Sequence, residues 1–224
     1  MQQQTETAIA TDYRQRAERA EMNQRQVQQQ ILRISLLRVI LFTGGIAAAI
    51  ALRHDGWLMW GGALAVTMLP FLALVKYHNR LFHRKDYLEK EAEINRQELA
   101  ALALDTSAFN DGAEYIHPGH LYAFDLDIYG PHSLFQCLNR TSTQPGRTRL
   151  AAWLGQHLED KAEIEDRQAA VRELSALTDF RQRFRILGLL HKGKSADESE
   201  LQAWAASPTT FRNRILLRLL PYVV

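Results

Sequence analysis

"GWLMWGGALAVTMLPFLALV", Gly56 to Val75, is a run of 20 residues without one charged side chain. A helix needs about 20 apolar residues to cross the hydrocarbon core of a bilayer, so this stretch reads as a membrane span. Pro70 is tolerable inside it. Upstream, "VILFTGGIAAAIAL" (Val39 to Leu52) is only 14 residues long, but "ILRISLLR" extends it if Arg33 and Arg38 reach back towards the headgroups. The short turn Arg53, His54, Asp55 joins the two runs into a helical hairpin over residues 31–76. A cleaved signal peptide does not fit, because some thirty polar residues precede the first apolar run.

Charge sets the expected orientation. Six arginines (14, 16, 19, 25, 33 and 38) precede the hairpin and five Lys/Arg (76, 80, 84, 85 and 90) follow it, whereas the turn carries only Arg53. The positive-inside rule therefore puts both ends in the cytoplasm and the hairpin in the inner, cytoplasmic membrane, with the bilayer as its first partner.

Residues 1–30, rich in Gln, Arg and Glu, form a polar arm, either a solvated helix or a disordered segment. After the hairpin, residues 77–104 contain no helix breaker, and Leu81, Leu88, Ala92, Asn95, Leu99 and Leu102 recur at heptad-like spacing. The second span is thus expected to continue as a helical stalk. Whether that stalk pairs with the N-terminal arm or with a second protomer, as a homodimer, stays open.

Between residues 105 and 130 the pattern changes to turn signals, "NDG" and "HPGH". His117 and His120 do not make a metal site on spacing, because Pro-Gly between them predicts a turn and further ligands are not at hand. From Ser133 the chain reads as short capped helices. "SLFQCLN" comes first. Thr143 caps the next, with Pro145 in its first turn and Leu150, Trp153 and Leu154 turned inward. Asp160 with Glu163 starts another, carrying a stripe of Ile164, Val171, Leu174 and Leu177; Asp179 caps an Arg-rich helix to Leu190, Ser195 caps one more, and Pro208 closes it. Residues 131–208 thus read as a small helical bundle, and 209–224 as the start of a further apolar helix. The expected class is all-α.

Composition narrows the function. A net charge of +2 implies no nucleic-acid partner by itself, and the single cysteine, Cys137, excludes an internal disulfide or a cysteine-based metal cluster. "GLLHKGKS" matches the phosphate-loop pattern through Gly188, Gly193, Lys194 and Ser195. Its setting is wrong: bulky residues fill the loop, no buried strand precedes it, and acidic residues follow. The Asp125-x-Asp127 pair, without a sheet-rich domain, is equally weak evidence for a metal-dependent glycosyltransferase. A basic face of Arg181, Arg183, Arg185, Lys192, Lys194, Arg212, Arg214 and Arg218 gives an alternative, a module that binds nucleic acid or anionic lipid.

One longer pattern stands out. "FDLDIYGPHSLFQCLNRTSTQPGRTRLAAWL" followed by "IEDRQAAVREL" resembles the start of the core, or lever, domain of the MutS mismatch-repair family. The resemblance rests on Asp125 and Asp127 near an acidic position, Ser133 and Leu134 at a serine-leucine step, and Thr141 and Thr143 at paired threonines. Gly146 and Arg147 follow, then Leu150, Trp153, Leu154, Ile164, Arg167 and Val171 at the family's intervals. With the hairpin, the chain looks most like membrane-associated MutS-like proteins of bacteria. The resemblance implies a non-catalytic anchor and lever segment. ATP and magnesium would belong to a C-terminal ATPase domain, DNA contacts to other domains, and no small-molecule substrate to this segment. The signature residues themselves read as mainly structural, with contact to phosphate or a neighbouring domain the alternative reading for Arg147 or Arg167.

Overall fold

The computed structural model describes residues 2–52, 56–120, 122–191 and 203–207. The chain divides into two compact units, Met1–Leu190 and His191–Val224. Among the described residues there is no strand; the elements of the first unit are α1 (Gln2–Ala51), α2 (Trp57–Leu102), a 3-10 turn (Ala113–Tyr115), α3 (Leu134–Leu138), α4 (Gln144–Gly155), α5 (Lys161–Ala176) and α6 (Thr178–Leu190).

The first two helices dominate. At 1.5 Å per residue, α1 is about 75 Å long and α2 about 69 Å. They run antiparallel, and the polar arm is simply the first half of α1, packed on the stalk. Buried Ala17, Ala20, Val27 and Ile31 on α1 meet Leu81, Leu88, Ala92 and Asn95 on α2. Steps of three and four residues on both helices are those of a two-helix coiled coil. Val27, Ile31, Leu81 and Leu88 form its core cluster, with Ile34 against them.

Towards the turn the character changes. Phe42 and Phe71 have ring centroids 5.9 Å apart, and Gly45 is close enough to α2 that a Cβ there would lie 2.9 Å from Thr67 Oγ1. Small residues at the contact let two helices approach closely where apolar surroundings give no drive to association. The outward faces stay apolar: Leu36, Ile40, Ile50, Val66, Leu69 and Leu72 are all exposed. Within α1 an 18-residue window reaches a mean hydropathy of 2.0 with 6% of it buried, long and apolar enough to cross a membrane.

The stalk ends in a Schellman motif. Asp105 N–H donates to the Ala100 carbonyl and Leu104 N–H to that of Ala101, with Leu104 itself at φ 67°, where glycine is usual. The Asp105 carboxylate accepts from Ser107 N and Oγ and is held below the ordinary aspartate range by those bonds.

The 105–130 stretch is ordered by side chains of α3 and α4. Gln136 Oε1 accepts from His132 N and Thr106 Oγ1 while its Nε2 donates to the Phe109 carbonyl. Asn139 Nδ2 donates to the Asn110 carbonyl. Phe135, fully buried, sits between Tyr115 and Tyr129 at centroid distances of 5.7 and 5.8 Å. Gly112, at φ 70°, lies so close to that ring that a Cβ would come within 2.6 Å of it.

Candidate functional site: the joint between hairpin and helical domain

Chemistry concentrates where the far end of the coiled coil meets α3 and α6. On α2, Asn95 is fully buried, and its Oδ1 accepts from Gln182 Nε2 of α6 at 2.7 Å while its Nδ2 donates to the Glu91 carbonyl. One turn further, Glu98 Oε1 accepts from two guanidinium groups, Arg140 Nε at 2.7 Å and Arg185 Nη1 at 2.8 Å. Arg185 Nη2 also donates to Gln97 Oε1. Both arginines lie against the Phe109 ring, Arg140 at 3.7 Å and Arg185 at 5.2 Å from its centroid.

These atoms come from separate stretches of chain, and the joint is therefore a product of the fold. Arg140 additionally donates to the Cys137 carbonyl and so ties down the end of α3. Only 12% of the Arg185 side chain and 18% of Glu98 is exposed. Burial holds the Arg185 pKa below its usual value, against the pull of Glu98. Burial, then the Glu98 charge, raises that of Tyr13, which lies on α1 at the same level. Arg16 bridges Asp12 on its own helix to Asp179 on α6. A cleft of about 580 Å³ opens beside this network, lined by Tyr13, Leu138, Leu174, Phe180, Arg181 and Phe184 among others. A carboxylate shared by the largely buried Arg185 and the half-buried Arg140 resists separation, because pulling Arg185 and Glu98 apart strands desolvated charge. The arrangement ties α2 to α3 and α6.

Nine of the fourteen signature residues lie inside α3, α4 and α5, Ser133 and Thr143 are caps, and Asp125, Asp127 and Thr141 lie between helices. Ser133 Oγ accepts from Gln136 N and caps α3; Thr143 Oγ1 accepts from Gly146 N and caps α4; Asp160 accepts from Ala162 N and caps α5. Asp127, at φ 46°, lends its carbonyl to Leu134 N, while the Asp125 and Asp127 residues are exposed. Leu150, Leu154 and Ile164 are half-buried, Leu134 and Val171 exposed, and Thr141 bonds Asn139 Oδ1. Arg147 pairs with Gln144 Oε1 but its buried Nε has no partner among the described residues.

Four expectations need correction. Trp153 is 46% exposed; instead of anchoring a core it is sandwiched by Arg167 at 4.3 Å and Arg149 at 5.8 Å. The α5 stripe is also largely outward, with Val171 62% exposed, so its apolar face has no cover among the described residues. Asp179 does not cap α6 but lies in its first turn, drawn to Arg16. Glu163 does not close a capping box and pairs with Arg167. His120, from the rejected metal pair, donates or accepts at the Gly155 carbonyl beside Tyr122 Oη, both at 2.8 Å, so the end of α4 is held by two side chains of the preceding stretch.

The phosphate-loop match is divided. Gly188 lies inside helix α6, where a Cβ would collide with Ser142 Oγ; Gly193, Lys194 and Ser195 lie outside the described residues. Of the basic face, Arg185 is committed to Glu98 and Arg181 to the Ser175 carbonyl, Arg183 is exposed, and Lys192, Lys194, Arg212, Arg214 and Arg218 are outside the described residues. Sequence reasoning missed Gln136, Asn139, Glu98, Arg140 and Gln182. The one available signal was Gln136 and Asn139, an amide inside an otherwise apolar five-residue helix and a second at its C-cap three residues on.

A group of short helices joined to a long two-helix hairpin is the class this geometry defines among the described residues. Residues 99–203 match the family model of MutS domain III, so that stretch is similar to this domain of the MutS family. Related sequences include DNA mismatch repair protein msh3 of Emericella nidulans, 39% identical over 74 residues, covering 33% of this chain and 7% of the relative. The MSH3 of Coccidioides immitis is 44% identical over 69 residues, 31% of this chain and 6% of the relative. That of Aspergillus niger is 42% identical over 81 residues, 36% and 7% respectively. The chain thus spans only about 7% of the length of the curated relatives it matches. No solved structure matches it significantly.

Proposed function

We propose that this chain is the membrane anchor and lever segment of a MutS-like protein, itself without catalysis. One observation carries the reading. α2 is an uninterrupted helix of 46 residues that begins in the apolar hairpin and ends inside the segment matched to MutS domain III, which starts at residue 99. Any tilt of the stalk is passed to α6 and α3 through Asn95, Glu98 and Arg140. ATP, magnesium and mismatched DNA belong, in this reading, to domains outside the segment, and both ends of the hairpin face the cytoplasm.

The test is partitioning. After expression, the chain is expected to stay with the membrane fraction through an alkaline wash and to enter solution only with detergent. Recovery in the aqueous phase without detergent would overturn the anchor.

A further inference from the structure

Directly below the apolar belt, the hairpin carries a collar of one charge sign. The Phe42–Phe71 and Gly45–Thr67 contacts fix the helix register and put Arg38 level with Lys76. From there to residue 28 on α1 and residue 85 on α2 lie Arg33, Arg38, Lys76, Arg80, Arg84 and Lys85, with no acidic residue among them. On α1 no acid occurs from Met22 to Ala51, and on α2 none from Trp57 to Lys85. Arg33, Lys76, Arg80 and Arg84 are exposed. Among the described residues none of the six is in an ion pair, while further from the turn on the same two helices Arg16, Lys90 and Arg96 are paired and Arg14, Arg19 and Arg25 are not. Arg38 lies over the Phe71 ring at 5.5 Å with its Nε unpartnered, so it marks the floor of the belt.

We propose that this collar binds the headgroups of anionic phospholipids, an inference that rests on the anchor reading above. The dimensions agree. Eleven residues of helix span about 16 Å, close to one headgroup layer of about 6 Å plus a Debye length of about 8–10 Å. Over that depth each Lys or Arg gains from a negatively charged surface, and neutral lipid offers no equivalent. Duplex DNA is the weaker fit, because the same six side chains adjoin an exposed apolar belt that a DNA backbone would have to lie beside.

The experiment reconstitutes the full chain in bilayers of phosphatidylcholine mixed with phosphatidylglycerol and measures, by electron spin resonance, immobilisation of spin-labelled versions of each lipid. Preference for phosphatidylglycerol is expected, weakening with salt, falling by up to about fivefold per neutralised residue in K76Q/R80Q/R84Q and surviving in K76R/R80K/R84K. Circular dichroism checks that the variants keep their helix content. Equal immobilisation of both lipids would overturn the collar while leaving the anchor intact, and so would a preference untouched by K76Q/R80Q/R84Q. Salt-sensitive binding of labelled duplex DNA that this variant abolishes, without a lipid preference, would assign the collar to nucleic acid instead. No immobilised lipid at all would remove the anchor reading and the collar with it.

Discussion

The two halves of the α1/α2 hairpin are built from the same helices with opposite logic. In the half nearest the 105–190 stretch, apolar residues form a stripe that turns inward, and polar groups between helices find partners: Asn95 with Gln182, Glu98 with both Arg140 and Arg185. In the half nearest the turn, apolar residues cover every face, and the interhelix contact falls to Gly45, Thr67 and two phenylalanines. A helix apolar all round is stable only when its surroundings are apolar too, whereas a striped helix carries its own core. One rod therefore contains a part that folds against protein and a part whose outward faces are apolar.

The contrast breaks most directly at its apolar end. Val66 and Leu69 are 74% and 69% exposed. If they face lipid, Val66→Arg with Leu69→Arg adds about 5–7 kcal/mol to insertion and shifts the chain out of the membrane fraction. If they face water, the double substitution only improves solubility and leaves fractionation unchanged.

At the other end, Glu98→Ala leaves the largely buried Arg185 and the half-buried Arg140 against Phe109 without their anion. A loss of about 3 kcal/mol is expected, read as a lower melting temperature and as faster amide exchange in α6 while the apolar half of α1 stays protected. Equal loss of protection along the whole hairpin would show that the two halves do not behave separately.

The amide pair sharpens the same point with a smaller effect. Asn95→Leu strands the buried Gln182 amide and is expected to cost about 1–3 kcal/mol. Adding Gln182→Leu should restore most of it, because both polar groups are then gone. A double variant no better than the single would mean that Asn95 acts through its bond to the Glu91 carbonyl.

These contrasts were unequally legible in the sequence. The apolar run from Gly56 to Val75 stands out by its lack of charge, and the heptad of Leu81, Leu88, Ala92 and Asn95 by its periodicity. Ser133, Thr143 and Asp160 cap their helices as their positions suggest, since capping is a local transaction over two or three residues. The pairing of the N-terminal arm was not legible, because its inward positions are Ala17, Ala20 and Val27 among glutamines, too small a signal beside the polar background. The Glu98 clamp was hidden for another reason: its partners lie 42 and 87 residues away along the chain. Trp153 misled because an aromatic on a helical stripe normally marks a core, and here flanking arginines cover its ring instead.

The smallest expected effect lies at Glu91, on the border of the joint. Its pKa is raised by burial first, with Arg16 pulling it down and Asp179 pushing it up. A carboxyl whose folded pKa exceeds the unfolded one favours folding only while protonated; that contribution is complete below the ordinary glutamate range and is lost as pH rises through the raised value. At neutral pH the charged Glu91 therefore weakens the joint. Glu91→Gln, which keeps the backbone carbonyl that Asn95 uses, should raise stability at neutral pH by a few tenths of a kcal/mol, the group being only partly shielded from solvent. The gain should fade on acidification below the ordinary glutamate range, where the wild-type side chain is itself neutral. Thermal melts of both chains at the two pH values decide it: a variant less stable at neutral pH would mean that attraction to Arg16 outweighs burial, and that the charge of Glu91 belongs to the clamp.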